Sequence, residues 1–410
     1  MCSQFNNKLS KKVNRELLPF EIAFQKLMGY AEFIGEETVG LTECLGRILA
    51  EDIVSDMDVP PFSKSVMDGY ACRREDIANE LTVIEEISAG TIPQKKIGKN
   101  RCAKIMTGAM VPQGADVVII VEETEILDDN RVKFVGDDTP ENIYHRGEDI
   151  HKGEIVLRKG ERIFPQHIAI LAAMGKKRVI VARRPRIAII ATGNEIIEPE
   201  FTPKLSQIRN INSYELIAQI AHINAECKYY GIVRDDFHSM DEIFQSAISE
   251  NDIVLITGGV SMGEYDIVPD VLRKNGVEII FDRIAVQPGR PSTLGILNNK
   301  RIFGVPGNPV SAFVIFEILI KPFLFKIMGH KYEPVNVIMP LSVEIELQKA
   351  LRDSWIPVKS TEDGYIMPLE YHGSAHFAAL ADADGLICIP RGTKKLARGT
   401  KIKVRLLKCN

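Results

Sequence analysis

The sequence predicts a multidomain α/β protein: a central, mostly parallel α/β domain, a β-rich domain inserted before it, and a small C-terminal β domain. Three observations carry that expectation. Strand-like and helix-like runs alternate from Arg186 to Met328, the pattern of a parallel sheet with helices on both faces. Short apolar runs broken by Gly, Pro and Asp-Asn turns fill residues 53–152, as in a compact β module. From Lys331 the chain returns to strands and turns without a long helix, which reads as a β-barrel or sandwich. The length of 410 residues, at roughly 150 residues per domain, agrees with two to four domains.

In chain order, residues 1–18 read as a loose, basic leader. Pro19-Phe20-Glu21 opens a helix whose apolar side holds Ile22, Phe24, Leu27 and Met28, and a second helical segment is expected over 41–50. Pro60-Pro61-Phe62 makes a rigid turn, and strands are expected at 81–87, 104–106, 116–121 and 131–134. A helix over 165–174 and a strand over 178–182 lead to Arg183-Arg184-Pro185, a domain boundary. Beyond it, strands are expected at 186–191, 227–233, 252–256, 277–281, 292–297 and 301–305. Helices are expected at 213–224, capped by Asn212 or Ser213, at 240–249, after Ile267, and at 310–328. Glu317, Lys321 and Pro322 interrupt that last, most apolar helix, so it reads as a buried helix of a soluble protein and not as a membrane span. Runs at 343–347 and 400–406 alternate with period two, as half-buried strands do.

Composition narrows the class. Hydrophobic content of 45% and charged content of 26% are ordinary for a soluble globular protein. A net charge of -4 gives no nucleic-acid footprint. The cysteines, Cys2, Cys44, Cys72, Cys102, Cys227, Cys388 and Cys409, are scattered, odd in number and without a CxxC pair. That favours reduced thiols in the cytoplasm over a disulfide frame or a zinc site. The Met1–Glu16 stretch lacks the apolar core of a secretory signal.

In the α/β region, ligands bind where loops leave the carboxyl ends of the strands. Four such loops are Thr192-Gly193-Asn194-Glu195, Arg234-Asp235-Asp236, the stretch Gly258-Gly259-Val260-Ser261-Met262-Gly263, and Val305-Pro306-Gly307-Asn308-Pro309. The third leads from a strand into a helix, so its glycines and free N–H groups favour an anion. Acidic residues (Glu195, Asp235, Asp236, Asp266) and a cationic loop running from Arg283 through Arg290 join them. Carboxylates beside cations and open N–H groups suit a phosphorylated substrate with Mg2+. Plainer readings stand beside this one. Asp266 reads equally as a helix cap, and the Asp235-Asp236 pair has a second, lesser reading as a helix N-terminal feature; Asp68 also reads as half of an Asp-Gly turn, and Pro306 and Pro309 as strand stop and helix start. There is no GxxxxGK[ST] and no GxGxxG after the first strand, which excludes a P-loop ATPase and disfavours a dinucleotide fold.

Eight segments occur in an order that resembles one family. They are Pro60-Pro61-Phe62-Ser63-Lys64-Ser65-Val66-Met67-Asp68-Gly69-Tyr70-Ala71, Ile105-Met106-Thr107-Gly108-Ala109, Arg146-Gly147-Glu148-Asp149, Thr192-Gly193-Asn194-Glu195, Gly231-Ile232-Val233-Arg234-Asp235-Asp236, the 258–263 loop, Pro288-Gly289-Arg290-Pro291, and Pro306-Gly307-Asn308-Pro309-Val310-Ser311-Ala312. Together they resemble the MoeA family of molybdopterin molybdenumtransferases, which the E domain of gephyrin also represents. The glycine loop alone is shared with adenylyltransferases of the MogA type.

The resemblance implies four domains: residues 19–52 with 153–184, an inserted β-rich part over 53–152, a molybdopterin-binding α/β part over 185–330, and a C-terminal β-barrel over 331–410. It implies a homodimer in which the inserted part of one subunit covers the α/β cleft of the other. Asp68, Thr107 and Asp149 would then join Glu195, Asp235 and Asp266 as catalytic residues. The implied reaction takes adenylylated molybdopterin and molybdate, releases AMP, and leaves the metal on the dithiolene sulfurs. Asp235, Asp266 and Glu195 would hold Mg2+, and Arg283 and Arg290 the phosphate or molybdate. Gly258, Gly259, Ser261, Gly263, Pro306, Pro309 and Ser311 would line the substrate cradle. A molybdopterin adenylyltransferase and apo-molybdoenzymes are the implied partners, with no nucleic acid and no membrane. The rival readings are an adenylyltransferase on the same scaffold and a gephyrin-like binding scaffold. Three departures stand out. Gln287 replaces a lysine common in the family loop, Asn210 replaces the usual Asp, and Arg290 replaces a frequent Lys. The first two are expected to weaken the positive field and the metal or molybdate affinity.

Overall fold

The computed structural model describes residues 17–259, 267–369 and 376–408. Two compact units emerge: Met1–Glu37 with Gly46–Ala50 and Ile180–Asn410, and Thr38–Leu45 with Glu51–Val179.

The second unit is built on a six-stranded sheet in the order Val117–Ile120, Gly69–Cys72, Arg101–Ile105, Glu80–Ile87, Arg131–Phe134, Thr124–Asp128. One pair, Glu80–Ile87 with Arg101–Ile105, is parallel; the other neighbours are antiparallel. Side chains alternate between sheet faces, and here both faces are apolar. Ala71, Ala103, Ile105 and Val118 pack on one side, and Tyr70, Cys72, Cys102 and Val117 on the other. The Gly69–Cys72 strand is therefore buried throughout. Pro165 at the first helical position, where no N–H is needed, starts the Pro165–Ala173 helix.

The first unit contains the expected α/β sheet. Its order is Glu226–Val233, Arg186–Thr192, Ile253–Thr257, Lys300–Val305, Thr293–Leu297, Glu278–Phe281. The first four strands are parallel and the last two antiparallel. The central strands read as unbroken apolar runs because both faces are covered. Ile187, Ile189, Leu255 and Phe303 pack with residues of the Phe20–Gly29 and Asn212–His222 helices. Ala188, Ile190, Val254 and Ile256 meet Met240, Phe244, Val268 and Val271 on the opposite side. The chain leaves Arg186–Thr192 for one neighbour and later returns on its other side. That places a topological switch point beside this strand, where α/β sheets open a crevice.

Two expectations are corrected. Residues 41–50 form only a one-turn 3-10 helix, Leu41–Glu43. Gly46 sits at φ 75°, a left-handed conformation that ends a helix. The expected 310–328 helix is three pieces: Pro309–Ile315, a π turn over Phe316–Ile320, and Lys321–Ile327. Pro322 has no N–H to donate, and the wider turn before it accommodates the missing bond.

At the C-terminal end, Asp353–Ser360 lies between Val286–Gln287 and Gly385–Ile389, followed by Lys401–Leu406 and Asn336–Pro340. Ile366–Pro368 also pairs with Asp353–Ser360, and a single bridge joins Leu341 to Ile366. The 343–347 run is a strand only at Ile345–Glu346. Val286 pairs with Asp353 in parallel register, which ties this sheet to the loop carrying Gln287. Among the described residues no helix is long and apolar enough to cross a membrane.

Burial pushes the Glu215 carboxyl up to about 8, and its Oε2 has no hydrogen-bond partner among the described residues. The folded chain thus keeps a proton that the unfolded chain releases near the ordinary Glu value, so stability falls as pH rises from about 4.5 towards 8. Glu215→Gln should remove that slope. Its thermal midpoint at pH 8.5 should exceed the parent's by roughly 2–4 °C for each kcal/mol recovered, while the two midpoints converge at pH 4.

Candidate active site

A cleft of about 1030 Å3 opens at the carboxyl edge of the parallel strands. Its wall is formed by the loops after Thr192, Thr257 and Val305, together with Asp235, the 287–291 loop and Arg352. The strand ends are level because Thr192 pairs with Val233, Ala191 with Thr257, and Thr257 with Val305.

Backbone approach at this edge is close. Gly258 adopts φ 87°, and a Cβ there would lie 2.3 Å from the Thr192 carbonyl oxygen. Gly193, at φ 144°, would place a Cβ 2.8 Å from Glu195 Oε2. Both positions favour glycine for conformation, and Gly258 also for space, since the atom in the way there is fixed backbone. Asn212 stitches the loops together from the start of its helix. Its Nδ2 donates to Thr257 Oγ1 (2.8 Å), Gly307 O (2.9 Å) and Pro306 O (3.3 Å). The sequence led us to expect a cap from Asn212 or Ser213, and neither provides one. Asn210 Oδ1 instead accepts the Ser213 N–H at 3.2 Å, because the Asn212 side chain is committed to the loops.

The Asp235-Asp236 pair divides its labour. Asp236 caps the Phe237–Glu250 helix by accepting the Ser239 N–H at 2.8 Å, and that N–H holds its carboxyl below the usual range. Asp235 lines the cleft, and its N–H donates to Asn194 Oδ1 at 3.2 Å. Glu195 lines it too, at the root of an arm that runs out from Gly193 and returns at Asn210. Two short parallel strands, Ile196–Ile197 and Ile208–Arg209, close the arm on itself.

Of the other expected residues, Gly258, Gly259, Arg290, Pro306, Pro309 and Ser311 line the cleft. Pro309 is also the first residue of its helix. Arg283 is not among the lining residues, and its carbonyl accepts the Leu18 N–H at 3.3 Å. Ser261, Gly263 and Asp266 lie outside the described residues. Among the described residues, no three His, Cys, Asp or Glu side chains converge as a metal site. Arg352 was not anticipated. It lines the cleft and donates from Nη2 to Gln287 Oε1 at 2.9 Å. Burial, and then the charge of Arg290, lower its pKa, so two guanidinium groups face the same space. The pairing of Val286–Gln287 with Asp353–Ser354 brings it there, and nothing local in Leu351-Arg352-Asp353 signals that.

In the β-rich unit, Asp68 and Thr107 meet. The Thr107 N–H and hydroxyl both donate to Asp68 Oδ1, at 2.6 and 2.8 Å, and hold that carboxyl below its ordinary value. Asp149 lies on a separate loop, with its N–H on Val59 O at 3.0 Å. That loop is pinned by Arg146, whose Nε reaches Asp58 Oδ2 at 2.7 Å.

Three family descriptions match the chain in order: the MoeA N-terminal region (domain I and II) over 18–175, a probable molybdopterin binding domain over 188–326, and the MoeA C-terminal region (domain IV) over 343–407. A molybdopterin molybdenumtransferase of Staphylococcus epidermidis is 34% identical over 406 residues, covering 95% of each chain. One from Staphylococcus aureus is 32% identical over 402 residues, covering 96% of each. The crystal structure of a molybdopterin biosynthesis MoeA protein from Pyrococcus horikoshii superposes with a TM-score of 0.84 at 33% identity, over 96% of this chain and all of that one.

The Asp68 contact can be tested in isolation. Thr107→Ala removes the hydroxyl and keeps the N–H, so the Asp68 titration midpoint should rise part of the way towards the ordinary Asp value. Carboxyl NMR would read the shift, and an unchanged midpoint would mean that the hydroxyl does not bond Asp68 in solution.

Proposed function

We propose that this chain, which belongs to the MoeA family, is a molybdopterin molybdenumtransferase that acts on adenylylated molybdopterin and molybdate. In this reading water attacks the phosphoanhydride and AMP leaves, while molybdate takes the two dithiolene sulfurs and one of its oxygens departs as water with the two thiol protons. The observation that carries it is the cleft, where Glu195 and Asp235 share a wall with Arg290, Arg352 and the Gly258-Gly259 backbone. A polyanionic substrate needs both kinds of group. Arg290 and Arg352 offer planar donor forks to a tetrahedral oxoanion, and Ser311 a hydroxyl beside them. Glu195 and Asp235 are hard oxygen donors that fit Mg2+, an ion that keeps several waters and takes few protein ligands; Asp266 is the third donor the sequence offers. When bound, Mg2+ would offset the negative charge of the pyrophosphate. The chain's own part is to orient the phosphoanhydride and hold the oxoanion.

The proposal includes a homodimer with a composite site, in which Asp68, Thr107 and Asp149 of one copy serve the cleft of the other. It also includes a cytoplasmic location, the compartment that the scattered cysteines favour. A molybdopterin adenylyltransferase would supply the substrate, and apo-molybdoenzymes would accept the product.

Purified protein incubated with adenylylated molybdopterin, Mg2+ and molybdate should release AMP and yield a product that reconstitutes an apo-molybdoenzyme. Absence of AMP release would overturn the assignment. Arg352→Ala should raise the half-saturating molybdate concentration roughly tenfold or more, as expected for a charge-assisted hydrogen bond worth about 1.5–3 kcal/mol. Asp68→Asn and Asp266→Asn, each inactive alone, should partly complement in mixed dimers. No recovery in verified heterodimers would place both residues in one subunit's site.

A further inference from the structure

We infer that Asn210, Tyr229 and Glu198 form a polarised latch that holds the 193–210 arm in place, and with it Glu195 at the cleft wall. In this latch Asn210 is a positioning residue and not a weakened ligand. The inference rests on the proposed reaction only for the task given to Glu195.

The hydrogen bonds run in one direction. The Ser213 N–H can only donate, and it donates to Asn210 Oδ1 at 3.2 Å. Asn210 Nδ2 must then face outward, and it donates to the Tyr229 hydroxyl at 2.7 Å. With that oxygen occupied as acceptor, Tyr229 sends its one proton to Glu198 Oε1, also at 2.7 Å. The other carboxylate oxygen takes the Tyr214 hydroxyl at 3.1 Å, and the two rings stand 6.0 Å apart. Glu198 sits on the outgoing limb of the arm, one residue past Ile196–Ile197. Asn210 ends the returning limb, 5% exposed. Tyr229 belongs to the edge strand Glu226–Val233, so the latch joins both limbs to the sheet. The limbs are also tied to each other, by the Ile208 N–H on Glu195 O and the Asn210 N–H on Ile197 O, each at 2.8 Å. Burial and the neighbouring Glu198 both push the Tyr229 hydroxyl up, so it stays a donor.

This polarity accounts for asparagine where the resemblance leads one to expect aspartate. A carboxylate at 210 would give Tyr229 a second acceptor, leaving one proton between two negative charges. Here the charge stands at Glu198 and the neutral amide at 210.

The test reverses the direction. Asn210→Asp alone sets two carboxylates around the one Tyr229 proton, and Glu198→Gln alone leaves a single amide oxygen where Tyr229 and Tyr214 each had a carboxylate oxygen to accept their protons. Each should speed amide exchange at Ile208 and Asn210 (Asp in the second variant) about tenfold, the loss expected for one partly buried hydrogen bond. Each should also lower kcat for AMP release more than it raises KM. In the double variant the amide introduced at 198 donates to Tyr229, which donates to the carboxylate introduced at 210, and Tyr214 keeps an acceptor. Exchange and kcat should return to within a few-fold of the parent. Defects that simply add in the double variant, or single variants with parental exchange, would overturn the latch. Tyr229→Phe serves if a charge variant fails to fold: it should reproduce the fast exchange, and parental exchange in it also rejects the inference. Exchange is measured without the reaction, so a chain inactive in the AMP assay would still decide the latch.

Discussion

The cleft depends on one constraint, the register in which four parallel strands end together. Thr192 faces Val233 and Thr257 faces Val305, with the two pairs one residue apart because Ala191 is the partner of Thr257, so the loops that follow them open into the same space. A slip of one residue in any strand would exchange the side chains of its two faces, so each cluster would receive residues sized for the other. The two apolar clusters on opposite faces of the sheet exclude that. Asn212 adds the finer adjustment. Its single amide group spans the ends of two strand loops that sequence separates widely.

Charge is arranged by the same geometry. Adjacent aspartates at 235 and 236 serve different ends because the helix start claims one of them and leaves the other on the cleft wall. The cations come from two places: Arg290 from the loop after Gln287, and Arg352 from the C-terminal sheet. Gln287 is thus not an empty position. Its carbonyl oxygen holds the guanidinium of Arg352.

Local pattern was enough to read the strands of the α/β sheet and the loops at their carboxyl ends, because buried parallel strands advertise themselves as unbroken apolar runs. The resemblance put Asp68 and Thr107 in one group with Asp149, but gave no sign that Thr107 would donate twice to the Asp68 carboxylate. Arg352, Asn212 and the Asn210–Tyr229–Glu198 chain were not legible. Each depends on a contact between distant segments, and neither propensity nor periodicity carries that information. The failed helix at 41–50 shows the opposite error: the apolar spacing was helical, but Gly46 takes a left-handed turn that periodicity alone does not weigh.

The pairing of Val286–Gln287 with Asp353–Ser354 has a thermodynamic consequence. One side of that short ladder shapes the cleft, and the other begins the longest strand of the C-terminal sheet. Occupancy of the cleft and folding of that sheet are therefore linked equilibria: whatever anion draws Arg352 inward also favours the ordered strand, and fraying of the strand loosens the anion. In the proposed reaction the terminal sheet would thus contribute binding free energy from a distance, through Arg352.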